Sequence, residues 1–273
     1  MKKYFLIILL ALCLQSQAYA DSQPVLDQIN KTQTIRCGYV VWPPAFSIDA
    51  NTKIKSGIFY DIAEEMAKRL NLQIEWTEEL GWATMIEAVK TNRVDMMCSA
   101  TFANSARARH VDFSTPAFYS LMYAWKSSKS EKTYKDFSDL DKPDVRFAFV
   151  DGTIPDKIVH RQFTHSQMVS SPDMTPISDL LEGLTTKKFD TMMIDEATVN
   201  DFMKKNPGSI TKAIDKPIAF FPDVMLLPAG ETKLKAMVDN TINEMLYDGT
   251  IIKILAKYNL EQGYKLPAKP YQD

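Results

Sequence analysis

The sequence predicts an α/β protein built from two similar lobes, and two observations support that prediction. Short apolar runs with the character of strands alternate with amphipathic runs typical of helices, the pattern of parallel sheets flanked by helices. One helix–turn–strand motif also occurs twice, as "MIEAVKTNRVDMMCSA" (85–100) and "LLEGLTTKKFDTMMID" (180–195). The first copy ends in Ala100 and the second in Asp195. We therefore expect the same structural unit once in each lobe.

Hydrophobic periodicity defines the elements of the first half. Residues 60–71 predict a helix, because Ile62, Met66 and Leu70 recur at four-residue spacing and opposite charges also stand four residues apart. A second helix is predicted at 82–91. The predicted strands of this half are 34–41, 73–77 and 94–100.

The second half repeats the alternation. Its C-terminal part predicts two helices broken near Asp248-Gly249, since glycine interrupts a helical pattern. Ligands bind outside the carboxyl ends of strands in open parallel sheets, so Ala100 and Asp195 are expected to face each other across a cleft. The other predicted elements are strands at 145–150, 166–170, 189–195 and 219–228, and helices at about 155–163, 177–187 and 197–205.

The N-terminal segment has the layout of a secretory signal peptide. Two lysines precede a short apolar run, and the small-residue cleavage motif Ala18-Tyr19-Ala20 follows it. We predict cleavage after Ala20 and export of the remaining chain, in which no later run is long and apolar enough to span a membrane. The net charge of −2 gives no reason to expect nucleic acid or anionic lipid as a partner.

Two cysteines, Cys37 and Cys98, remain after the predicted cleavage. Each lies in a short apolar run that predicts a strand. Their spacing cannot decide between a disulfide and two free thiols. We favour two buried thiols over a bridge.

The segment "VDMMCSATFANSARARHVDFSTPAFY" (94–119) belongs to an ordered set of motifs. It is similar to the signature of the bacterial extracellular solute-binding proteins of family 3, the polar amino-acid type. The motifs around it also match in order, and the resemblance covers about residues 33–260. These motifs are "WPPAF" (42–46), "SGIFYDIAEEMAKRL" (56–70), "FDTMMIDEA" (189–197) and "YDGTIIKILAKY" (247–258).

The resemblance implies a periplasmic-binding-protein-like fold and a transport function. Two lobes, each with a mostly parallel sheet flanked by helices, would be joined by a two-strand hinge and close on a ligand like a flytrap. Lobe 1 would comprise residues 21–123 and 222–273, and lobe 2 residues 124–221. The protein would be a periplasmic monomer that captures an amino acid or similar carboxylate-bearing solute and delivers it to the permease of an ABC transporter. No cofactor is implied.

The same resemblance assigns two charged ligand contacts. Arg107 stands at the family arginine that binds the α-carboxylate, and a guanidinium offers planar, bidentate donors for that group. The alternative is a surface arginine paired with an acid. Asp195 stands at the family acid that receives the α-ammonium. It would also cap the helix that begins near Glu196, and both roles can coexist.

Other candidates would shape the pocket. Thr153 stands where the family places a hydroxyl for the carboxylate, although a helix N-cap explains it equally. Phe102 and Ala100 stand where the family usually has Thr and Gly, so a hydroxyl is lost and a ring gained. Asp151 stands where some relatives carry a basic or amide residue and would attract a cation. The candidate aromatic walls, for each of which core packing is the alternative, are Trp42, Phe59, Trp82 and Phe102.

An enzyme is the competing class, because this fold also serves periplasmic cyclohexadienyl dehydratases that act on prephenate or arogenate. Such chemistry requires a general acid, for which Asp151, Asp195 and Glu196 are candidates. The sequence contains no Ser–His–Asp, Cys–His or metal-ligand spacing. We therefore expect a binding protein without catalytic residues or a metal. The added rings favour a ligand with an aromatic or aliphatic side chain.

Overall fold

A computed structural model describes residues 24–260 and 264–267. The predicted signal peptide therefore lies outside the described residues. None of the helices within these two ranges is both long and apolar enough to cross a membrane. The helices are α1 (Pro24–Thr32), α2 (Ile58–Arg69), α3 (Met85–Lys90), α4 (Ser105–Ala108), α5 (Ile154–Gln162), α6 (Ile177–Thr185), α7 (Glu196–Lys205), α8 (Thr232–Tyr247) and α9 (Thr250–Lys257), with a 3-10 turn at Phe137–Leu140.

The strands reproduce the predicted runs and add several short ones. The strands are β1 (Thr34–Tyr39), β2 (Ser47–Ile48), β3 (Lys55–Ser56), β4 (Gln73–Glu79), β5 (Met96–Phe102), β6 (Val111–Phe113), β7 (Phe118–Ser127), β8 (Arg146–Val150), β9 (Gln167–Ser171), β10 (Thr191–Asp195), β11 (Ile210–Lys212), β12 (Ala219–Pro228) and β13 (Tyr264–Lys265).

One long sheet organises the described chain, with its main path in the order β4-β1-β5-β12-β7-β10-β8-β9. At one end β1 pairs in parallel with β4 and β5, and at the other β8 pairs in parallel with β9 and β10. Between them, the long strands β7 and β12 run antiparallel to each other. The predicted α/β class, with parallel strands flanked by helices, is confirmed.

Separate groups of buried side chains lie towards the two ends of this sheet. One group surrounds α2 and α8 and includes Ile35, Ile62 and Val238, while another surrounds α6 and includes Leu180 and Ile194. Each parallel group of strands thus has its own apolar core. The boundaries of the two lobes stay a prediction.

The duplicated motif forms the same structural unit twice. Asp95 accepts a hydrogen bond from the backbone N–H of Arg36 at 2.8 Å and one from its guanidinium at 2.7 Å. Asp190, the aligned residue of the second copy, accepts equivalent bonds from Arg146 at 2.9 and 3.1 Å. In each half, one acid thus ties the turn after the helix to the neighbouring parallel strand.

The preference for two free thiols is wrong. Cys37 and Cys98 form a disulfide in the structure, with their Cα atoms 5.4 Å apart. The bridge joins β1 to β5, which pair side by side in parallel, Cys37 opposite Met96. Both cysteines are fully buried within the first core. Burial was therefore predicted correctly, but the adjacency of the two strands, which decides the pairing, was not used.

Candidate functional site

A cleft lies over one face of the sheet, near the carboxyl ends of β5 and β10. Side chains of directly paired residues project to the same face of a sheet. The register pairs Phe102 with Asp223 and Asp195 with Met122. Together with Ala100, two residues before Phe102, these side chains line the cleft. The structure therefore brings Ala100 and Asp195 to one cleft, as the sequence predicts.

Arg107 reaches the cleft from the short helix α4. The side chain of Asn104 caps this helix and accepts a hydrogen bond from the backbone N–H of Arg107 at 3.0 Å. The guanidinium Nη1 donates to Thr101 Oγ1 at 2.8 Å and to the carbonyl of Phe102 at 3.0 Å. Its Nη2 donates to the carbonyl of Gly152 at 3.2 Å. These bonds hold the plane of the guanidinium at the edge of the cleft.

The charge of Arg107 has no counter-ion within the described part of the chain. The residue is only 7% exposed, and no described carboxylate forms an ion pair with it. Burial lowers the pKa of this guanidinium to about 10, so it remains charged at neutral pH. A buried charge without a partner is destabilising, so the site favours an anion. The alternative of a surface arginine paired with an acid does not describe this residue.

Asp195 ends β10 and caps α7 at the same time. Its Oδ1 accepts from the backbone N–H of Thr198 at 2.8 Å, and its Oδ2 accepts from the Thr198 hydroxyl at 2.7 Å. The carboxylate is 5% exposed, and burial raises its pKa. The predicted cap is confirmed, and the same carboxylate lines the cleft.

Aromatic rings form much of the wall. Trp42 and Trp82 meet edge to face with ring centres 5.2 Å apart. The Trp42 indole N–H donates to Thr198 Oγ1 at 3.1 Å and lies 3.5 Å from Asp195 Oδ2. Phe102 also lines the cleft. Three of the four predicted aromatic walls are therefore at the site, and one of them contacts the acid.

Thr153 also lines the cleft, although its hydroxyl is used within the fold. It donates to the carbonyl of Val150 at 2.6 Å and accepts from the backbone N–H of Asp156 as the N-cap of α5. Gly152 before it has φ 78°, a left-handed conformation that favours glycine, and this turn presents the Gly152 carbonyl to Arg107. Thr153 thus shapes the cleft as the start of a helix.

Two predicted site residues lie elsewhere. Phe59 is fully buried in the first core, where its ring packs on that of Phe118 at 5.5 Å. Ile58 is the first residue of α2 and Phe59 follows it. Phe59 lies on the side of that helix that packs against the sheet. Asp151 is exposed, does not line the cleft, and its backbone N–H pairs with Ser171 at 2.9 Å. An exposed acid outside the lining does not contact a cation bound in the cleft.

Several residues that line the cleft were not predicted from the sequence. The most consequential is Asp223, which is 4% exposed and accepts a hydrogen bond from the Ser120 hydroxyl at 2.6 Å. Its signal was visible, since a carboxylate in the apolar strand "AFFPDVMLLP" is rarely buried without a role. The other lining residues that were missed are Ala45, Thr101, Ser120, Met122, Ile154, Pro155, Ile194, Thr198 and Tyr264.

A polar contact holds the turn at Trp82, one of the residues that line the cleft. The carboxylate of Asp173 accepts from the backbone N–H groups of Trp82 at 2.7 Å and Ala83 at 3.1 Å. A Cβ atom at Gly81 would collide with this carboxylate. The absence of a side chain at Gly81 therefore allows Asp173 to approach the turn before α3.

Metal binding is not indicated by the described side chains. Across residues 24–260 and 264–267, no three His, Cys, Asp or Glu residues are grouped in a way that could hold a metal ion.

The fold that carries this cleft is the fold of solved amino-acid-binding proteins. An ancestral amino acid-binding protein, AncCDT-1, described as a precursor of cyclohexadienyl dehydratase, superposes with a TM-score of 0.76 at 24% sequence identity. The match covers 85% of this chain and 98% of that chain.

Sequence comparison identifies the family. The family model of the bacterial extracellular solute-binding proteins, family 3, matches residues 35–261, and the chain belongs to this family. A probable histidine-binding protein of Campylobacter jejuni is 24% identical over 243 residues, which cover 86% of this chain and 88% of that protein. The L-cystine-binding protein TcyJ of Escherichia coli is 24% identical over 242 residues, which cover 89% and 88% respectively.

Proposed function

We propose that this solute-binding protein captures a free amino acid or a similar small carboxylate-bearing solute in the cleft. The observation that carries the proposal is the buried guanidinium of Arg107, which has no acid partner among the described residues and shares one cleft with the carboxylate of Asp195. A zwitterion supplies a carboxylate for the first and an ammonium for the second. The histidine- and cystine-binding relatives support an amino acid as the ligand class.

The cleft would lie between two lobes. We propose residues 21–123 and 222–273 as lobe 1 and residues 124–221 as lobe 2. The proposed boundaries at 123 and 222 fall within β7 and β12, the two long central strands. Three contacts then join the lobes around the cleft: Arg107 to the Gly152 carbonyl, Trp42 to Thr198, and the Trp82 N–H to Asp173.

We further propose that the protein works as a monomer in the periplasm and delivers its ligand to an ABC transporter permease. A signal peptide cleaved after Ala20 would export it. The disulfide between Cys37 and Cys98 supports this location, because disulfides persist in oxidising compartments and are rare in the cytosol.

A thermal-shift screen of the mature protein over amino acids, polyamines and small organic acids tests the function. At a concentration about 100 times Kd, a ligand stabilises the folded state by about 2.7 kcal/mol. For a chain of this length, we expect Tm to rise by roughly 5–10 °C. A screen in which polyamines stabilise the protein, and no amino acid or other carboxylate-bearing compound does, would contradict the proposal.

We propose binding without turnover. The neighbouring AncCDT-1 is named as an amino acid-binding precursor of a dehydratase, which keeps prephenate and arogenate as the appropriate substrates for a check. Incubation of the purified protein with each of them should leave both unchanged by ultraviolet absorbance. Measurable dehydration would overturn the assignment.

Removal of the Asp173 carboxylate should weaken ligand binding even though Asp173 does not line the cleft. Asp173→Ala deletes two hydrogen bonds to the turn at Trp82 and Ala83 that are made across the proposed lobes. We expect a roughly three- to tenfold increase in Kd by calorimetry, as the loss of partly exposed charge-assisted bonds predicts. Asp179→Ala, an exposed acid on α6, is the matched control. Equal Kd values for the two variants would show that this contact does not stabilise the closed form.

A further inference from the structure

Asp223 introduces a second carboxyl group into the cleft. It lies on β12, one of the two long central strands, directly opposite Phe102 of β5 and Phe118 of β7. The Ser120 hydroxyl, which lies on the neighbouring strand β7, donates to its Oδ2 at 2.6 Å. The residue is 4% exposed, and no described lysine, arginine or histidine forms an ion pair with it.

The charges that line the cleft do not balance. Its charged lining residues are Arg107, Asp195 and Asp223, one cation against two carboxylates. A zwitterion with a neutral side chain would match Arg107 with its carboxylate and one acid with its ammonium. The other acid would then remain buried without a counter-charge, which is unfavourable in a water-poor site. A ligand that carries a second cationic group would leave every charge paired.

The hydrogen bonds that Asp195 and Asp223 accept within the protein indicate which of the two carboxylates binds which cationic group of the ligand. Asp195 accepts from Thr198 twice and lies 3.5 Å from the Trp42 indole nitrogen. Asp223 has the single short bond from Ser120 and more remaining capacity to accept, since a carboxylate has about four acceptor positions. Asp223 is therefore the better partner for a group with several donors, such as a guanidinium or an ammonium.

We propose that the ligand is a basic amino acid and that Asp223 binds its side-chain cation, an inference that rests on the proposed function. The aromatic lining agrees with this class, because the faces of Trp, Tyr and Phe rings attract cations. Trp42, Trp82, Phe102 and Tyr264 all line the same cleft. The aromatic rings alone favour an aromatic or aliphatic ligand side chain. The carboxyl group of Asp223 in the same lining favours a basic side chain instead.

The electrostatics of the unliganded cleft support the same conclusion. Burial, with a further contribution from Asp195, raises the pKa of Asp223 well above its usual range. A nearby cation favours the ionised form of a carboxylate. A basic side chain beside Asp223 would thus favour its ionised form, which a neutral side chain does not do.

Calorimetric titration with matched pairs of amino acids tests the inference. The pairs are L-arginine with L-citrulline, and L-lysine with L-6-hydroxynorleucine, in which shape is nearly kept and the side-chain charge is lost. We expect the cationic member of at least one pair to bind the parent protein at least about tenfold more tightly than its neutral partner. In Asp223→Asn this preference should fall to about threefold or less, while the affinity for the neutral member changes little. Asn at position 223 can still accept from Ser120.

Asp112→Asn is the matched control. Asp112 lies on β6, which pairs with β12, and it does not line the cleft. This variant should keep the preference of the parent. Equal binding of the charged and neutral partners by the parent protein, or a preference that persists in Asp223→Asn, would overturn the inference and leave the proposed function standing. The comparison on the parent protein needs no variant to fold. If no amino acid binds, the inference fails; if no other carboxylate-bearing compound stabilises the protein in the thermal-shift screen either, the proposed function fails with it.

Discussion

Replacement of Arg107 by alanine is expected to weaken amino-acid binding by more than about 2 kcal/mol. The guanidinium is 7% exposed and held by Thr101, Phe102 and Gly152 in one orientation at the edge of the cleft. Its removal would leave the ligand carboxylate in a water-poor site without its cationic partner. Calorimetry on the purified variant measures the loss as an increase of at least about thirtyfold in Kd.

Arg109 provides the control for this experiment. It lies two residues further along the chain and is exposed, so Arg109→Ala removes the same charge without touching the cleft. We expect its Kd to stay close to that of the parent. Arg107→Lys should fall between the two, because an ammonium keeps the charge and loses the planar pair of donors. Equal Kd values for Arg107→Ala and Arg109→Ala would show that the buried guanidinium does not bind the ligand.

Removal of the disulfide is expected to lower the free energy of unfolding by about 2–5 kcal/mol. The bridge joins residues separated by 61 positions and constrains the unfolded chain over that whole length. Cys37→Ala combined with Cys98→Ala keeps the two buried positions apolar. Urea denaturation of the mature parent and of this double variant measures the difference.

The parent protein under reducing conditions is the control for lost side-chain packing, because it keeps both sulfur atoms. It should be destabilised nearly as much as the double variant. Thiol titration of the unfolded, unreduced mature protein should find no free thiol. Two free thiols, together with an unchanged midpoint on reduction, would contradict the bridge.

The elements of the fold could be predicted because local patterns define them. Strand β12 was predicted at its observed residues, and the helix break at Asp248-Gly249 coincides with Gly249 in a left-handed conformation between α8 and α9. Strand β7 was omitted from the predicted strands. Its run "FYSLMYAWKS" mixes apolar and polar residues without regular alternation. This strand pairs with β10, β11, β12 and β13 and so passes through several environments, which explains the irregular pattern.

Site residues could be predicted from the sequence where a motif places them at the end of a strand or the start of a helix. Asp195 lies between β10 and α7, and Arg107 lies on a capped turn after β5, so their neighbours in sequence place them. Asp223 and Ser120 meet only because β12 pairs with β7, a relation between residues 103 positions apart. Phe59 could have been assigned to the core from the sequence, since it stands three residues before Ile62 and seven before Met66, the spacing of one helix face.

The central claim is that the buried guanidinium of Arg107 binds the carboxylate of an amino acid. A double-mutant cycle tests this claim most directly, with one change in the protein, Arg107→Ala, and the other in the ligand, whose carboxylate is esterified. The tightest-binding amino acid and its methyl ester are each titrated by calorimetry into the parent protein and into Arg107→Ala. We expect the parent to bind the ester at least about thirtyfold more weakly than the acid, and Arg107→Ala to bind the two with nearly equal affinity. A parent protein that does not distinguish the ester from the acid, or a variant that keeps the full discrimination, would contradict the claim.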